Sequence, residues 1–375
     1  MKRYSAVKTN NESNFFTNNN DINIYLTKYI FNKMVYDTPD NDKYSIIVTP
    51  PHAGWISVDQ KDPVFAHYGL FHPKLYPYIV PEVRNRSLIK TDLPIQEIVQ
   101  KYKAALPKHW KSKALVAVRV ASLLLYYFQE SDIRPDQMIV VETPGRICTQ
   151  TAISLLKTSD YVHGGTPSIV LEKKDIDSVL QHTNDGLVLL EDTAANNEMT
   201  KLNHRLSMLE RDITSTTGAS DTTRHMIAIL SEQPDRIIRT GAPLFISLSD
   251  VACDSSKINE IRQLSGQFDF ALIRRIREIY VDSKKDIDIA IEESKKIPVT
   301  NENEERINTI RAIHAAAVFL NKLDVLTSDE VDSILNWLTD ENSNTFDTYV
   351  SITNDFIVTF NNLIRDGSIR VEKIL

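Results

Sequence analysis

Cysteine is scarce. Only Cys148 and Cys253 occur in 375 residues, and they stand far apart in the chain. They offer no metal-ligand spacing and suit a reducing, cytoplasmic setting. Long apolar runs are missing as well. No stretch of about 18 apolar residues is present, so no membrane span is expected. The opening segment, MKRYSAVKTNNESNFFTNNN, has two early basic residues but no apolar core behind them, and does not read as a secretory signal. An excess of positive charge is lacking too: the net charge of −7 excludes a generally basic nucleic-acid coat and leaves room only for a local basic patch. The G-x-S-x-G elbow and the H-E-x-x-H zinc motif are both absent. His52, His67 and His72, with Asp59 and Asp62, match no zinc spacing and read as loops packing on one another.

What is present is ordinary soluble composition, 42% hydrophobic and 25% charged, in a chain long enough for two or three domains. Residues 1–20 read as a polar, Asn-rich arm, and 22–36 as a helix docking back, giving a first unit over 1–40. Residues 41–92 are rich in short β-like runs, Pro and Tyr, and form a loop-rich second unit. Residues 93–129 turn helical, with Pro107 expected to split them in two. The second half is apolar on most faces and therefore buried.

Strands and helices then alternate. QMIVVE (137–142), PSIVLE (167–172), GLVLLED (186–192), HMIAILSE (225–232) and PLFISLSD (243–250) read as strands. Helices are expected at 149–157, 173–183 and 197–213. FALIRRIREIYV (270–281) fits either a strand or a helix. This alternation predicts an α/β fold with a mainly parallel sheet and flanking helices over 93–285. From 286 to 375 the spacing is helical throughout and predicts an all-helical C-terminal domain.

The strand-to-helix junction VVETPGRICTQTAISLL (140–156) is where a phosphate-binding loop would lie. Against G-x-x-x-x-G-K-[ST] the best alignment is PGRICTQT. Pro144 and Thr149 fall on the two glycines, Gln150 on the lysine and Thr151 on the magnesium-holding hydroxyl, and Gly145 sits one place late. About 40 residues on, DGLVLLEDT has the shape of a Walker B strand ending in Glu191 and Asp192, with the usual order of the two acids reversed. Ser231 ends a later strand where a polar group can sense a γ-phosphate. Arg236 and Arg239 follow it, and Arg239 is the candidate to complete a neighbour's site. The bland alternative is a plain βα turn, a solvated acidic strand end and surface arginines.

The order of these elements resembles the core of P-loop ATPases of the AAA+ and superfamily 3 helicase kind, in particular helicase-like ATPases of mobile elements, over roughly residues 95–285. The resemblance implies a nucleotide site. Gly145, Thr149, Gln150 and Thr151 would lie at the phosphates, Thr151 and Glu191 at the metal, and Glu191, Asp192, Ser231 and Arg239 in catalytic roles. ATP and magnesium are the implied cofactors, or none if the loop is degenerate, because a neutral Gln150 cannot offset phosphate charge. An oligomeric replication or mobile-element factor is the implied function. The alternatives are a non-enzymatic assembly scaffold, using the helical C-terminal region for protein contacts or self-association, and an α/β enzyme of another kind.

Nucleic-acid contact is assigned by local charge. Residues 82–120 hold nine Lys or Arg against three acids, and KYKAALPKHWKSK interleaves aromatics with them. Lys101, Lys103, Lys108, Lys111 and Lys113 would meet phosphates while Trp110 stacks on a base. The opposing reading is a solvated helix face with Trp110 in the core. LIRRIREI (272–279) reads as a surface stripe. Cys148, with no partner base, reads as a buried or partly buried thiol.

Overall fold

The computed structural model describes residues 3–8, 44–49, 54–56, 63–66, 86–87, 91–135, 138–157, 160–161, 169–170, 185–192, 225–234, 243–298 and 304–340. The N-terminal part contributes short antiparallel pairs. Strand β1 (Arg3–Lys8) pairs with β2 (Tyr44–Thr49), β3 (Gly54–Ile56) with β4 (Val64–Ala66), and β5 (Arg86–Ser87) with β7 (Asp160–Tyr161). Arg3–Lys8 was expected within a mobile arm. It is a strand because main-chain pairing asks only for an extended backbone, and its partner lies some 40 residues on. The helices expected at 22–36, 173–183 and 197–213 and the last C-terminal helical run lie outside the described residues, as do the histidine loops.

The main sheet comprises β6 (Ile139–Glu142), β8 (Ile169–Val170), β9 (Gly186–Asp192), β10 (His225–Ser231) and β11 (Leu244–Ser247), in the order β11-β6-β10-β9-β8, every pairing parallel. These strands are nearly unbroken apolar runs because both faces are covered. On one face Ile139, Val141, Leu189, Ala228, Leu230 and Ile246 join the main core, and on the other Val140, Leu190, Ile227 and Ile229 are buried as well. The chain steps from β6 out to the edge at β8, returns through β9 and β10, and then passes β6 to reach the opposite edge at β11. This reversal at β6 makes the carboxyl end of that strand the natural place for a ligand crevice.

Helix α1 (Ile95–Ala105) stops before Pro107, as expected, and α2 (Trp110–Leu123) begins after it. Every side chain of α2 from Ser112 to Leu123 is buried. Its one deeply buried charge, Arg119, pairs with Asp269 at 3.4 Å, donates to the Tyr102 hydroxyl at 3.0 Å, and lies over the Tyr102 and Phe268 rings. Two turns of α3 (Leu125–Glu130) follow. Trp55 of the β3–β4 pair is 1% exposed and donates through Nε1 to the Leu123 carbonyl. The buried Asp185, held at φ 48°, accepts from the backbone N–H groups of Trp55 and Tyr126. Together these contacts fasten the N-terminal hairpin to α2, α3 and the start of β9.

Helix α4 (Arg146–Leu156) follows β6 and covers the face that carries the main core. Residues 270–281, open between strand and helix in the sequence, are helical: α5 (Ile258–Glu278) passes through them and α6 (Tyr280–Lys295) continues. Arg274 of the basic stripe donates to the Thr91 and Leu93 carbonyls at the approach to α1. Helices α7 (Glu304–Lys322) and α8 (Ser328–Thr339) complete the described fold, α8 opening with a Thr327–Glu330 capping box. They do not pack apart from the sheet. The buried alanines 312 and 315–317 of α7 belong to the same core as α2, and Trp337 of α8 donates through Nε1 to the Phe245 carbonyl of β11. Among the described residues no helix is long and apolar enough to cross a membrane.

Candidate functional site

The carboxyl ends of the parallel strands are level. Ser247, Glu142, Ser231 and Asp192 are register partners across β11, β6, β10 and β9, and so stand in one row on one face of the sheet. The neighbouring row, Ile246, Val141, Leu230 and Glu191, lies on the other face, the one α4 covers. The strand of the Walker-like acids is therefore not the direct neighbour of β6; β10 runs between them. The link is made by Ser231. Its carbonyl accepts from the Thr143 N–H at 2.9 Å, and its hydroxyl donates to Asp192 Oδ2 at 2.7 Å. The same hydroxyl oxygen accepts from the Gln233 N–H, so its one proton is committed to Asp192.

Of the two expected acids it is Asp192, rather than Glu191, that meets Ser231. Asp192 is 7% exposed, and its Oδ1 has no hydrogen-bond partner among the described residues. A buried carboxylate oxygen without a donor has lost hydration and gained nothing in return. It has the chemistry of a cation ligand. Among the described residues no group of three or more His, Cys, Asp or Glu is gathered as a metal cluster, so protein atoms alone do not complete a coordination sphere.

The phosphate loop itself departs from expectation. Only Thr143, Pro144 and Gly145 connect β6 to α4. Gly145 is the helix N-cap, at φ 83°, and a Cβ added there would meet nothing within 4 Å. A phosphate-wrapping nest needs successive residues of alternating hand. With Thr149 in place of the second glycine, the segment winds instead into the first turn of α4. Gln150 and Thr151 consequently lie in the second turn. The Gln150 amide oxygen accepts from Arg262, the Thr151 hydroxyl donates to the Ile147 carbonyl, and Thr151 is 1% exposed. Thr149 bonds the Gly145 carbonyl and the Thr143 hydroxyl. In the ligand-free chain these side chains bond the helix's own backbone, Thr143 and Arg262.

At the mouth stand Pro144, Gly145, Arg146 and Ile147, all exposed. No side chain caps α4, and its first turn contains no acid. Sequence comparison with the phosphate-loop pattern passed over Arg146, because that pattern places no cation there. Cys148, one turn in, is 5% exposed, and burial, then the adjacent Cys253 thiol and Glu142, push its thiol up to about 12. The two cysteines, remote in sequence, are neighbours here, and Cys148 is a buried thiol as expected. Arg236 and Arg239 lie outside the described residues.

The expected basic patch is largely neutralised. Lys101 pairs with Glu97 and Lys103 with Asp324, while Lys111 bonds Asp250 at 2.6 Å. Burial pushes the Asp250 carboxyl up, but the hydrogen bond and charge of Lys111 outweigh that and hold it below its ordinary value. Lys113 is 4% exposed beside Glu330, its pKa lowered chiefly by burial. Among the described residues Lys108 alone of the five has no such partner. Trp110 is half-buried with its ring 6.3 Å from Trp337. Four of the five lysines thus have an acidic neighbour, and Trp110 has an aromatic one. Glu97 is local, but the other pairing acids come from positions 250, 324 and 330, beyond the reach of a local charge count.

Comparison with solved structures gives a fold likeness. The structure described as the active helicase Cch of SCCmec type IV aligns with a TM-score of 0.53 at 11% identity, over 87% of this chain and 65% of that one. The chain thus spans just under two thirds of that protein's length. No family model matches the sequence, and no curated protein matches it.

Proposed function

We propose that this chain is a nucleic-acid-associated protein built on a helicase-type ATPase scaffold whose nucleotide site no longer supports hydrolysis. The observation that carries the reading is the three-residue connection Thr143–Gly145 at the same sheet edge as a retained Asp192–Ser231 pair. The acid and its polar neighbour are what a metal-assisted phosphoryl site uses. The connection lacks the wrapping backbone and the lysine that hold the β- and γ-phosphates for transfer. The nucleic-acid association draws on the fold likeness to a mobile-element helicase. It does not draw on residues 101–113, whose lysines are mostly paired.

Turnover of ATP and GTP with magnesium, with and without single- and double-stranded DNA and RNA, tests the reading, and no hydrolysis above background is expected. Robust turnover abolished by Asp192→Asn would overturn it. A second reading, a protein-contact scaffold, is favoured by the pairing of Lys101, Lys103 and Lys111. Absence of a band shift at low salt with all four nucleic acids selects it.

A further inference from the structure

We infer that Cys148 and Cys253 form a redox-active dithiol, which a low-molecular-weight disulfide oxidises to an intramolecular disulfide joining the first turn of α4 to the turn between β11 and α5. This sulfur chemistry is independent of the nucleotide reading above.

The chain has only these two cysteines, so an intramolecular disulfide can only join this pair. Sheet topology brings them together. Strand β11 lies directly beside β6, and the Leu248 N–H donates to the Glu142 carbonyl, so the chain leaves both strands side by side. From β6 it winds into α4, which carries Cys148 in its first turn. From β11 it enters a turn in which the Val251 N–H donates to the Leu248 carbonyl at 3.1 Å. Both thiols hang on that turn. Cys148 Sγ donates weakly to the Leu248 carbonyl at 3.9 Å, and Cys253 Sγ to the Val251 carbonyl at 3.5 Å. Cys148 belongs to the apolar core and Cys253 packs against it, each as a free thiol. The two side chains are hydrogen-bonding neighbours.

Access separates their roles. Cys148 is 5% exposed, whereas Cys253 is half-buried and meets solvent. The Cys253 thiolate therefore attacks one sulfur of the oxidant. The oxidant's S–S bond breaks, a mixed disulfide forms at Cys253, and one small thiolate leaves and takes up a proton. Cys148 then gives up its proton and attacks Cys253 Sγ. The mixed disulfide breaks, and the second small thiolate leaves with the electron pair. In balance, two protein thiols and one small disulfide become one protein disulfide and two small thiols. Burial above all makes Cys148 hold its proton, so the second step is slow at neutral pH and quickens as pH rises. The bond closes a long loop of chain, which restricts the unfolded state and stabilises the folded one. The bridged turn also carries Asp250, the partner of Lys111, so the bond fastens α2, α4 and the exit of β11 together.

The test is equilibration of the full chain with oxidised glutathione at mildly alkaline pH, then alkylation of the remaining thiols, mass spectrometry and thermal melts. The expected product is a monomeric chain lighter by two hydrogens, with a Cys148–Cys253 cross-link that dithiothreitol reverses. Its melting temperature should rise by about 5 °C over the reduced protein. Cys148→Ala should stop at a stable glutathione adduct on Cys253, and Cys253→Ala should leave Cys148 as an unmodified thiol. Two glutathione adducts on the unmodified protein, a disulfide between chains, or two thiols left unchanged overturns the inference. So does a cross-link no more favourable in the folded chain than in the chain unfolded in urea. Glutathione addition to Cys148 in Cys253→Ala, as fast as the native pair reacts, overturns it as well.

Discussion

Asp192 and His314 are both buried polar groups, and each is settled by its neighbours in a different way. Asp192 accepts from Ser231 at one oxygen and keeps the other unpaired among the described residues. His314 is fully accommodated: its Nδ1 meets Ser294 Oγ at 2.8 Å, and since Ser294 donates its own proton to the Ala290 carbonyl, Nδ1 is the donor. Burial holds the His314 pKa below its ordinary value, against the weaker opposite pull of Glu293 and Asp332. The sign follows directly. Between the folded value and the ordinary 6.5 the unfolded chain binds more protons, so stability is present above 6.5 and is lost as pH falls through that window. The melting temperature should drop as pH falls through and below 6.5, and His314→Gln should flatten part of that slope. Identical pH profiles for the two proteins would show that His314 protonates without cost.

At the scale of elements, the decisive contrast is between the composition of a segment and its packing. The segment from Lys101 to Lys113 reads as basic and aromatic, yet two loops and helix α8 bring acids to it, and Trp110 rests against Trp337. Trp110→Ala should therefore cost stability, about 3 kcal/mol, the low end for a large aromatic because the ring is only half-buried. Nucleic-acid affinity, measured by anisotropy at a fixed salt concentration, should change little. A clear loss of affinity at unchanged melting temperature would restore Trp110 as a stacking residue. Helix α4 gives the same lesson in the other direction. Thr151 falls on the hydroxyl position of a motif and Gln150 on its lysine position, and both lie in the second turn of a helix that begins at Arg146.

For the whole molecule, the question is whether the helical C-terminal part is a separate body. The expectation of an independent unit from residue 286 came from a change in periodicity alone. Helix α7 packs on α2 through small side chains, and α8 reaches β11 through Trp337. A chain ending after residue 298 should therefore lose cooperative folding, since it would strip α2, the central buried helix, of one of its covers. The expected result is a broad thermal transition and strong binding of a hydrophobic dye. A sharp transition from that shortened chain would mean the α/β part folds alone.

The sequence by itself determined the alternation of elements. Short apolar runs such as GLVLLED and HMIAILS, alternating with helical segments, point to a parallel sheet covered on both faces, so strands β6, β9, β10 and β11 were legible, as were the break at Pro107 and the burial of α2. Hydrophobic burial is a property of each segment's own pattern, and that pattern is local. Only the tertiary structure decided which polar groups meet. The placement of β10 between β6 and β9, the Ser231–Asp192 bond, the acids that cancel the lysines, the Cys148–Cys253 neighbourhood and the exposure of Arg146 all depend on distances between residues remote in the chain. Charge and hydrogen bonding act through space over a few ångströms, and no window along the sequence contains both partners.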